Sequence, residues 1–225
     1  MVKVSVIMPS YNPNEEWLNE ALDSILKQTF KDFEIILVDD GSKNDEYLWD
    51  VVLRDKRIKV FFHKKNRNQA SAMNTGLKKS SGDYICFLDC DDKYAPEKLK
   101  NQLIYLIKNK EVDMVYSDGW YIDEDGKIKG KYTLIDDPKN ILKFNHISYL
   151  SVLIRKKVFD KVGYFDEKLN RSQDWDMWVR VYKAGFVIKK MKERLIYYRI
   201  HPKQKNVLIP IEGAHAYIRR KHNLI

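Results

Sequence analysis

The stretch YICFLDCDD, residues 84–92, carries an apolar run straight into three carboxylates, Asp89, Asp91 and Asp92. YICFL has the composition of a strand entering a core, and Ser80-Ser81-Gly82 punctuates the chain just before it. Clustered negative charge at a strand end calls for a compensating cation. A hard divalent ion with oxygen ligands, gripping a phosphorylated ligand, answers that need. A solvated acidic turn is the competing reading, and the apolar run leading into the triplet weighs against it. Asp91 is the expected direct metal ligand, with Asp89 reaching a nucleotide ribose or a water.

Working outward, VKVSVIM, EIILV and IKVFF precede this stretch as further short strands, and segments of helical period separate them. Trp17, Leu18, Ala21, Leu22, Ile25 and Leu26 form one stripe, with Asn12 or Asn14 as its cap. Ala70, Met73 and Leu77 form a second. Pro96-Glu97 opens a third helix bearing Leu99, Leu103, Leu106 and Ile107, and VDMVYS is the next strand. The alternation predicts an α/β fold, a mostly parallel central sheet flanked by helices, with its ligand crevice beyond the carboxyl ends of the strands. Asp39-Asp40, the Asp89–Asp92 cluster and Asp118 all fall at such ends.

From Trp120 the pattern changes. YIDEDGKIKGKY reads as a hairpin around Asp125-Gly126, SVLIRKKVF as a strand running into a short helix, and QDWDMWVRVYKAGF as a helix stopped by Gly185. RLIYYRIH returns as a strand. No linker or repeat divides the 225 residues, a length that suits one compact domain. It is read as a nucleotide-sugar-binding half (1–118), an acceptor-side half of the same domain (119–203) and a short basic tail (204–225).

Composition excludes several classes. Cys86 and Cys90 lack the second pair of a four-thiolate site and read as a buried thiol and a neighbour of the acidic cluster in a reducing compartment. No apolar segment suits a signal peptide or a membrane span, so a cytoplasmic protein is expected. The formal charge of +9 suits a solvated surface or peripheral contact with an anionic membrane at its inner face. No recognition helix or RNA-binding aromatic motif accompanies it, so nucleic acid is not an expected partner.

Other residues complete a site. In VDDGS, Asp39 can accept from a base edge or a sugar hydroxyl while Gly41-Ser42 makes the tight exit. The segment PSYNP lacks the glycines that wrap a dinucleotide pyrophosphate; Tyr11 there stacks on a base or packs a turn. Asp174 is a candidate general base at the start of its helix, with simple capping as the alternative, and Asp176 points to another face. His201, closing YYRIH, is a competent manganese ligand beside carboxylates, with Tyr198 and Arg199 framing phosphates or lying outside. His63, His146, His215 and His222 show no zinc spacing.

VSVIMPSYN, SILKQTFKDFEIILVDDGS, the run from Asn66 through MNTGLKKSSGDYICFLDCDD, VYSD, FDEKL with DWDMWVR, and YRIH occur in order across residues 3–201. In this combination the chain resembles the inverting glycosyltransferases of family 2, which have the GT-A fold. The resemblance implies metal-dependent transfer of a sugar from a nucleoside diphosphate sugar to an acceptor hydroxyl with inversion. It points to surface glycan, polysaccharide or glycolipid synthesis, with a glycan or lipid-linked acceptor, Mn2+ or Mg2+ as cofactor, and a UDP-sugar favoured by family frequency.

Pro9, Tyr11 and Asp39 match the nucleotide pocket, Asp89 the ribose and sugar contact, Asp91 the metal ligand, Asp174 the base, and His201 the position that completes metal or diphosphate binding. Gln173 stands where glutamate is frequent and, with Trp175, falls on the acceptor side. Asn68 replaces a frequent glycine. Met73 replaces a frequent arginine, leaving Arg67 or Lys65 to assist at the diphosphate. The chain stops soon after His201, so a minimal transferase is expected, with a weakly interfacial tail. A non-catalytic sugar-nucleotide or carbohydrate-binding module would keep the fold without turnover. A magnesium-dependent nucleotidyltransferase would release pyrophosphate, and a glycoside hydrolase would not need the nucleotide pocket.

Overall fold

A computed structural model of the protein describes residues 3–44, 46–202, 204 and 211–224. Every residue of β1 (Val4–Ser10) and β2 (Phe33–Asp39) is buried, the pattern of strands covered by helices on both faces. Parallel ladders join β1 to β2, β2 to β3 (Ile58–Phe62) and β1 to β4 (Tyr84–Phe87). Next to β4 lies β8 (Leu153–Arg155), antiparallel to it and to β6 (Met114–Ile122). Strand β6 then runs parallel to β9 (Ile188–Arg199), whose far side holds the short β5 (Lys93–Tyr94), and the hairpin strand β7 (Ile128–Tyr132) pairs with β6. The longest ladders, β1–β2, β2–β3 and β6–β9, are parallel. Two antiparallel steps through β8 restore the original direction. The carboxyl ends of β1, β2, β4, β6 and β9 therefore meet at one rim.

Alternation along β1 distributes the core to both faces. Val4, Val6 and Met8 join Leu18, Leu22 and Ile25 of α1 (Glu15–Leu26) and Leu99, Leu103 and Leu106 of α4 (Lys98–Lys108). Ile7 joins Ala70, Met73 and Leu77 of α3 (Gln69–Lys79), with Trp175 and Trp178 of α6 (Gln173–Lys183). At Gly76 an added Cβ would stand 2.4 Å from Ile7 Cγ2, so the bare backbone lets α3 lie close on β1. Helix α2 (Tyr47–Arg54), which the apolar pattern did not announce, buries Leu48 and Val51 in the first cluster. Asn14, not Asn12, caps α1, accepting from Trp17 N at 3.0 Å. Both cysteines are free, Cys86 fully buried and Cys90 partly so.

The described part of the basic tail is a docked helix, α7 (Glu212–His222), following α5 (Lys157–Val162) and α6 in the chain; residues 205–210 and 225 lie outside the described residues. Its Lys221 and His222 reach the fully buried Asp176 of α6 at 2.7 and 2.8 Å, and the His215 ring packs on Trp175 at 4.6 Å between centroids. Lys221 and His222 of the tail, which the sequence suggested as weakly interfacial, thus face α6. Among the described residues no helix is long and apolar enough to cross a membrane.

Candidate active site

Beyond β4 the chain turns through Asp89, Asp91 and Asp92, each of which brings one carboxylate oxygen within 4.8 Å of the other two. Asp92 is buried and accepts from Arg199 N at 2.7 Å. Burial, with the charges of Asp91 and Asp89, pushes its carboxyl well above the usual carboxylate range. Self-repelling oxygens of this kind fit a divalent cation, which would relieve the repulsion.

The end of β9 holds this turn. Arg199 is completely buried; its Nε donates to Asp91 O at 2.8 Å, its NH1 to Asp123 O and Glu124 O at 3.1 and 2.6 Å, and its NH2 to Glu20 Oε2 at 2.5 Å. It stitches the acidic turn, the β6–β7 hairpin and α1 together, so it is not open to frame phosphates. Two residues on, His201 Nε2 lies 2.9 Å from Asp91 Oδ2, with the Trp17 ring 4.7 Å from the imidazole.

On the nucleotide side, β1 ends in buried Pro9 and exposed Tyr11. Asp39, at the end of β2, accepts from Gly41 N and Ser42 N at 3.1 and 2.9 Å and from Ser42 Oγ at 2.5 Å. Gly41 adopts φ +76°, and a Cβ there would meet Lys65 C at 2.6 Å, which fixes glycine at this turn. Asp40 accepts from Arg67 N and lies 2.6 Å from His63 Nδ1, while His63 Nε2 lies 2.8 Å from Thr75 Oγ1. That buried chain clamps the 63–68 loop.

Helix α6 opens after Ser172, held at φ +57°, a left-handed backbone that costs a serine on the order of 1 kcal/mol. Asp174 is 8% exposed, and both its oxygens accept from Asn145 Nδ2 at 3.1 Å. Burial raises its carboxyl above the ordinary range against those hydrogen bonds. A carboxylate so placed suits proton abstraction near neutral pH. Gln173 Nε2 donates to Gln69 Oε1 at 2.9 Å, and Gln69 Nε2 donates to Asp89 Oδ1 at 2.8 Å. Helix α6 and the acidic turn are thereby joined through two amides.

Residues 5–163 match the model of Glycosyl transferase family 2. The chain belongs to this family. An uncharacterized glycosyltransferase of Methanocaldococcus jannaschii is 34% identical over 95% of this chain and 76% of its own length. The UDP-Glc:alpha-D-GlcNAc-diphosphoundecaprenol beta-1,3-glucosyltransferase WfaP of Escherichia coli is 31% identical over 89% of this chain and 78% of its own. Among solved structures, S. aureus TarS 1-349 in complex with UDP-GlcNAc superposes with a TM-score of 0.76 at 22% identity, over 92% of this chain and 61% of that one. The mannosyltransferase PcManGT of Pyrobaculum calidifontis, in complex with GDP-Man and Mn2+, gives 0.67 at 18% identity over 98% of this chain and 61% of that one. Those identities speak for the fold. Membership of this family makes the chain a glycosyltransferase domain, one that moves a sugar to an acceptor.

Several residues of this glycosyltransferase stand elsewhere than the sequence suggested. Trp175, expected on the acceptor side, is fully buried with its indole N–H on Ile141 O at 2.6 Å, so it anchors the wall and presents no face to a ligand. Arg67, half exposed, meets Glu167 at 3.2 Å with its guanidinium, and its backbone N–H donates to Asp40. Met73, by contrast, is buried with Ala70, Leu77 and Ile7 as its apolar stripe suggested. Asp118 lies within β6, where its carboxylate pairs with Lys190 at 2.9 Å and accepts from Leu134 N at 2.8 Å, away from the acidic turn. Gln69, Tyr149 and Asn145 enter the site without any local sequence signal.

Proposed function

We propose that the chain is a metal-dependent transferase in which Asp91 and His201 hold Mn2+ or Mg2+, with the nucleotide of the donor lying over Pro9, Tyr11 and Asp39 and its ribose or sugar at Asp89. The observation that supports this most is the convergence of three carboxylates within 4.8 Å beside His201, tied by hydrogen bonds to the helix of a buried, high-pKa aspartate. A divalent ion held by these residues would supply positive charge to offset the negative charge of the departing diphosphate. Asp174 receives the proton of the acceptor hydroxyl, and Asn145 keeps both carboxylate oxygens oriented for it. Gln173 sits in the first turn of the acceptor-side helix with its amide turned to Gln69; Arg67, whose guanidinium meets Glu167, lies on the donor side with its loop.

Residues 1–118 form the donor half and 119–203 the acceptor half on this reading. A UDP-sugar is the favoured donor, since the E. coli relative is named for UDP-Glc and TarS was solved with UDP-GlcNAc. The diphosphoundecaprenol in the first of those names supports a lipid-linked acceptor in surface glycan synthesis. A cytoplasmic enzyme touching the inner membrane face would meet such an acceptor. The test is nucleoside diphosphate release from UDP-, GDP- and dTDP-sugars with manganese, magnesium or EDTA and mixed sugar and lipid acceptors. Release from one donor, lost in EDTA, is expected; tight binding without release, or pyrophosphate as product, would overturn the reading.

A further inference from the structure

Four side chains link the acidic turn to α6, and the hydrogen bonds among them run in one direction. Gln69 Nε2 donates to Asp89 Oδ1 at 2.8 Å and to Tyr149 Oη at 2.9 Å. The Tyr149 hydroxyl donates to Asp89 Oδ2, and burial beside that charge pushes its phenol well above the ordinary value. Gln173 Nε2 donates to Gln69 Oε1 at 2.9 Å. The Asp89 carboxylate accepts from the NH2 of Gln69 and from the Tyr149 hydroxyl, which leaves the Gln69 carbonyl facing α6. A carbonyl only accepts, so residue 173 must donate. Gln173, 3% exposed in the first turn of α6, does so, and its own carbonyl is left buried with no hydrogen-bond partner among the described residues.

We infer that Gln69 and Gln173 are positioning residues for the donor: a one-directional chain Gln173→Gln69→Asp89 fixes the carboxylate of Asp89, and glutamine stands at 173 because the chain needs a donor there. The inference rests on reading Asp89 as a donor contact. An ionised glutamate at 173 would set an acceptor against the Gln69 carbonyl. Gln69 would then rotate its amide, present its carbonyl to Asp89, and withdraw one hydrogen bond from each of Asp89 and Tyr149. The substitution toward the residue frequent in similar sequences would thus impair this enzyme, through the donor and not the acceptor. A glutamine that served only as an acceptor contact would behave in the opposite way.

The test uses the full chain with Gln173→Glu and Gln69→Glu. Side-chain amide NMR of the ligand-free protein, 15N-labelled at glutamine, is expected to show the Gln69 NH2 pair shifting in the Gln173→Glu variant; unchanged resonances would overturn the chain itself. In steady-state kinetics, each variant is expected to raise the KM for the nucleoside diphosphate sugar about tenfold, the scale of one hydrogen bond to a charge, with kcat changed much less. An unchanged donor KM with an altered kcat or acceptor KM would overturn the donor-side role. A wild-type chain that binds no nucleoside diphosphate sugar would remove the functional reading and the donor-side role together, whereas the NMR result decides the chain by itself.

Discussion

His201 Nε2 lies 2.9 Å from Asp91 Oδ2, although 110 residues separate the two in the chain. Trp17 packs against the imidazole, and Arg199 holds the Asp91 carbonyl from the same strand end. The last strand therefore fixes both the backbone and the side chain of the residue best placed to hold a cation. Asp91→Asn is expected to abolish manganese-dependent nucleotide binding, and His201→Ala, which removes the second proposed ligand, to weaken it by at least about 10–100-fold, the loss that follows even when only a partner of a ligand is removed. Calorimetric titration of UDP with and without manganese checks both. Equal affinity in wild type and His201→Ala would remove the histidine from the metal site.

Asp174 gives a prediction in which activity and stability separate. Burial raises its carboxyl in the folded chain, so the folded state holds its proton to higher pH than the unfolded state does. The stability associated with that proton is present at low pH and lost as pH rises through the folded value, so at neutral pH the ionised group is a cost. Asp174→Asn removes the cost while Asn145 can still donate to the amide oxygen. Transfer should fall by about 10²–10⁴, the usual contribution of a general base, with donor binding kept and the Tm at pH 7.5 equal or higher. Wild-type kcat should fall on the acid side with an apparent pKa above that of an ordinary carboxylate. Retained transfer in Asp174→Asn would show that another group takes the proton.

The strands and most helices were legible because their signals are local. Val4, Val6 and Met8 alternate with Ile7 along β1, and Leu18, Leu22 and Ile25 recur at the helical period on α1. The acidic rim was legible where a strand ran directly into carboxylates, as at Asp39 and Asp89. It misled at Asp118, because VYSD looks like a strand end while β6 continues to Ile122 and Lys190 from a neighbouring strand neutralises the charge. Arg199 read as a residue for phosphate or solvent; four long-range acceptors, none near it in sequence, bury it instead. Gln69, Asn145 and Tyr149 were invisible for the same reason. An amide or phenol acquires its role from a carboxylate 20, 29 or 60 residues away, and nothing in its own neighbourhood records that.

Arg199 is the clearest structural dependency of the site. Replacing it by methionine keeps much of the volume but leaves the carbonyls of Asp91, Asp123 and Glu124 and the carboxylate of Glu20 without this partner. Glu20, about a third exposed, keeps Lys93 as a partner at 3.1 Å, so the loss falls on the carbonyls, where a hydrogen bond to a charged group is worth about 1.5–3 kcal/mol. Arg199→Met should lower the Tm by several degrees and, in the folded fraction, loosen the acidic turn enough to weaken manganese binding. Arg199→Lys should restore little of either, since an ammonium cannot span a planar fork of acceptors. Urea unfolding of the two variants with manganese titration measures both effects. A methionine variant as stable as wild type would mean that the turn holds itself.

Lys98 is fully buried in the first turn of α4, its Nζ donating to Gln102 Oε1 at 2.8 Å and Val152 O at 3.1 Å and standing 4.3 Å from the Tyr94 ring centroid. Gln102 in turn donates to Ser151 O at 2.7 Å, so the pair pins the turn that follows Tyr149. Burial lowers the lysine pKa to about 8 from 10.5. Below pH 8 both folded and unfolded chains carry the proton, and the full cost of burying the charge is present. Between about pH 8 and 10.5 the folded chain releases it while the unfolded chain holds it, so this lysine makes stability rise with pH. At 1.36 kcal/mol per pKa unit the rise is about 3 kcal/mol. Lys98→Met cannot titrate there, and groups common to both chains cancel in the comparison. The wild-type unfolding free energy should therefore gain about 3 kcal/mol on that of Lys98→Met between pH 7.5 and 10.5 in urea titrations. A difference that stays constant over the interval would mean that Lys98 keeps its proton in the core.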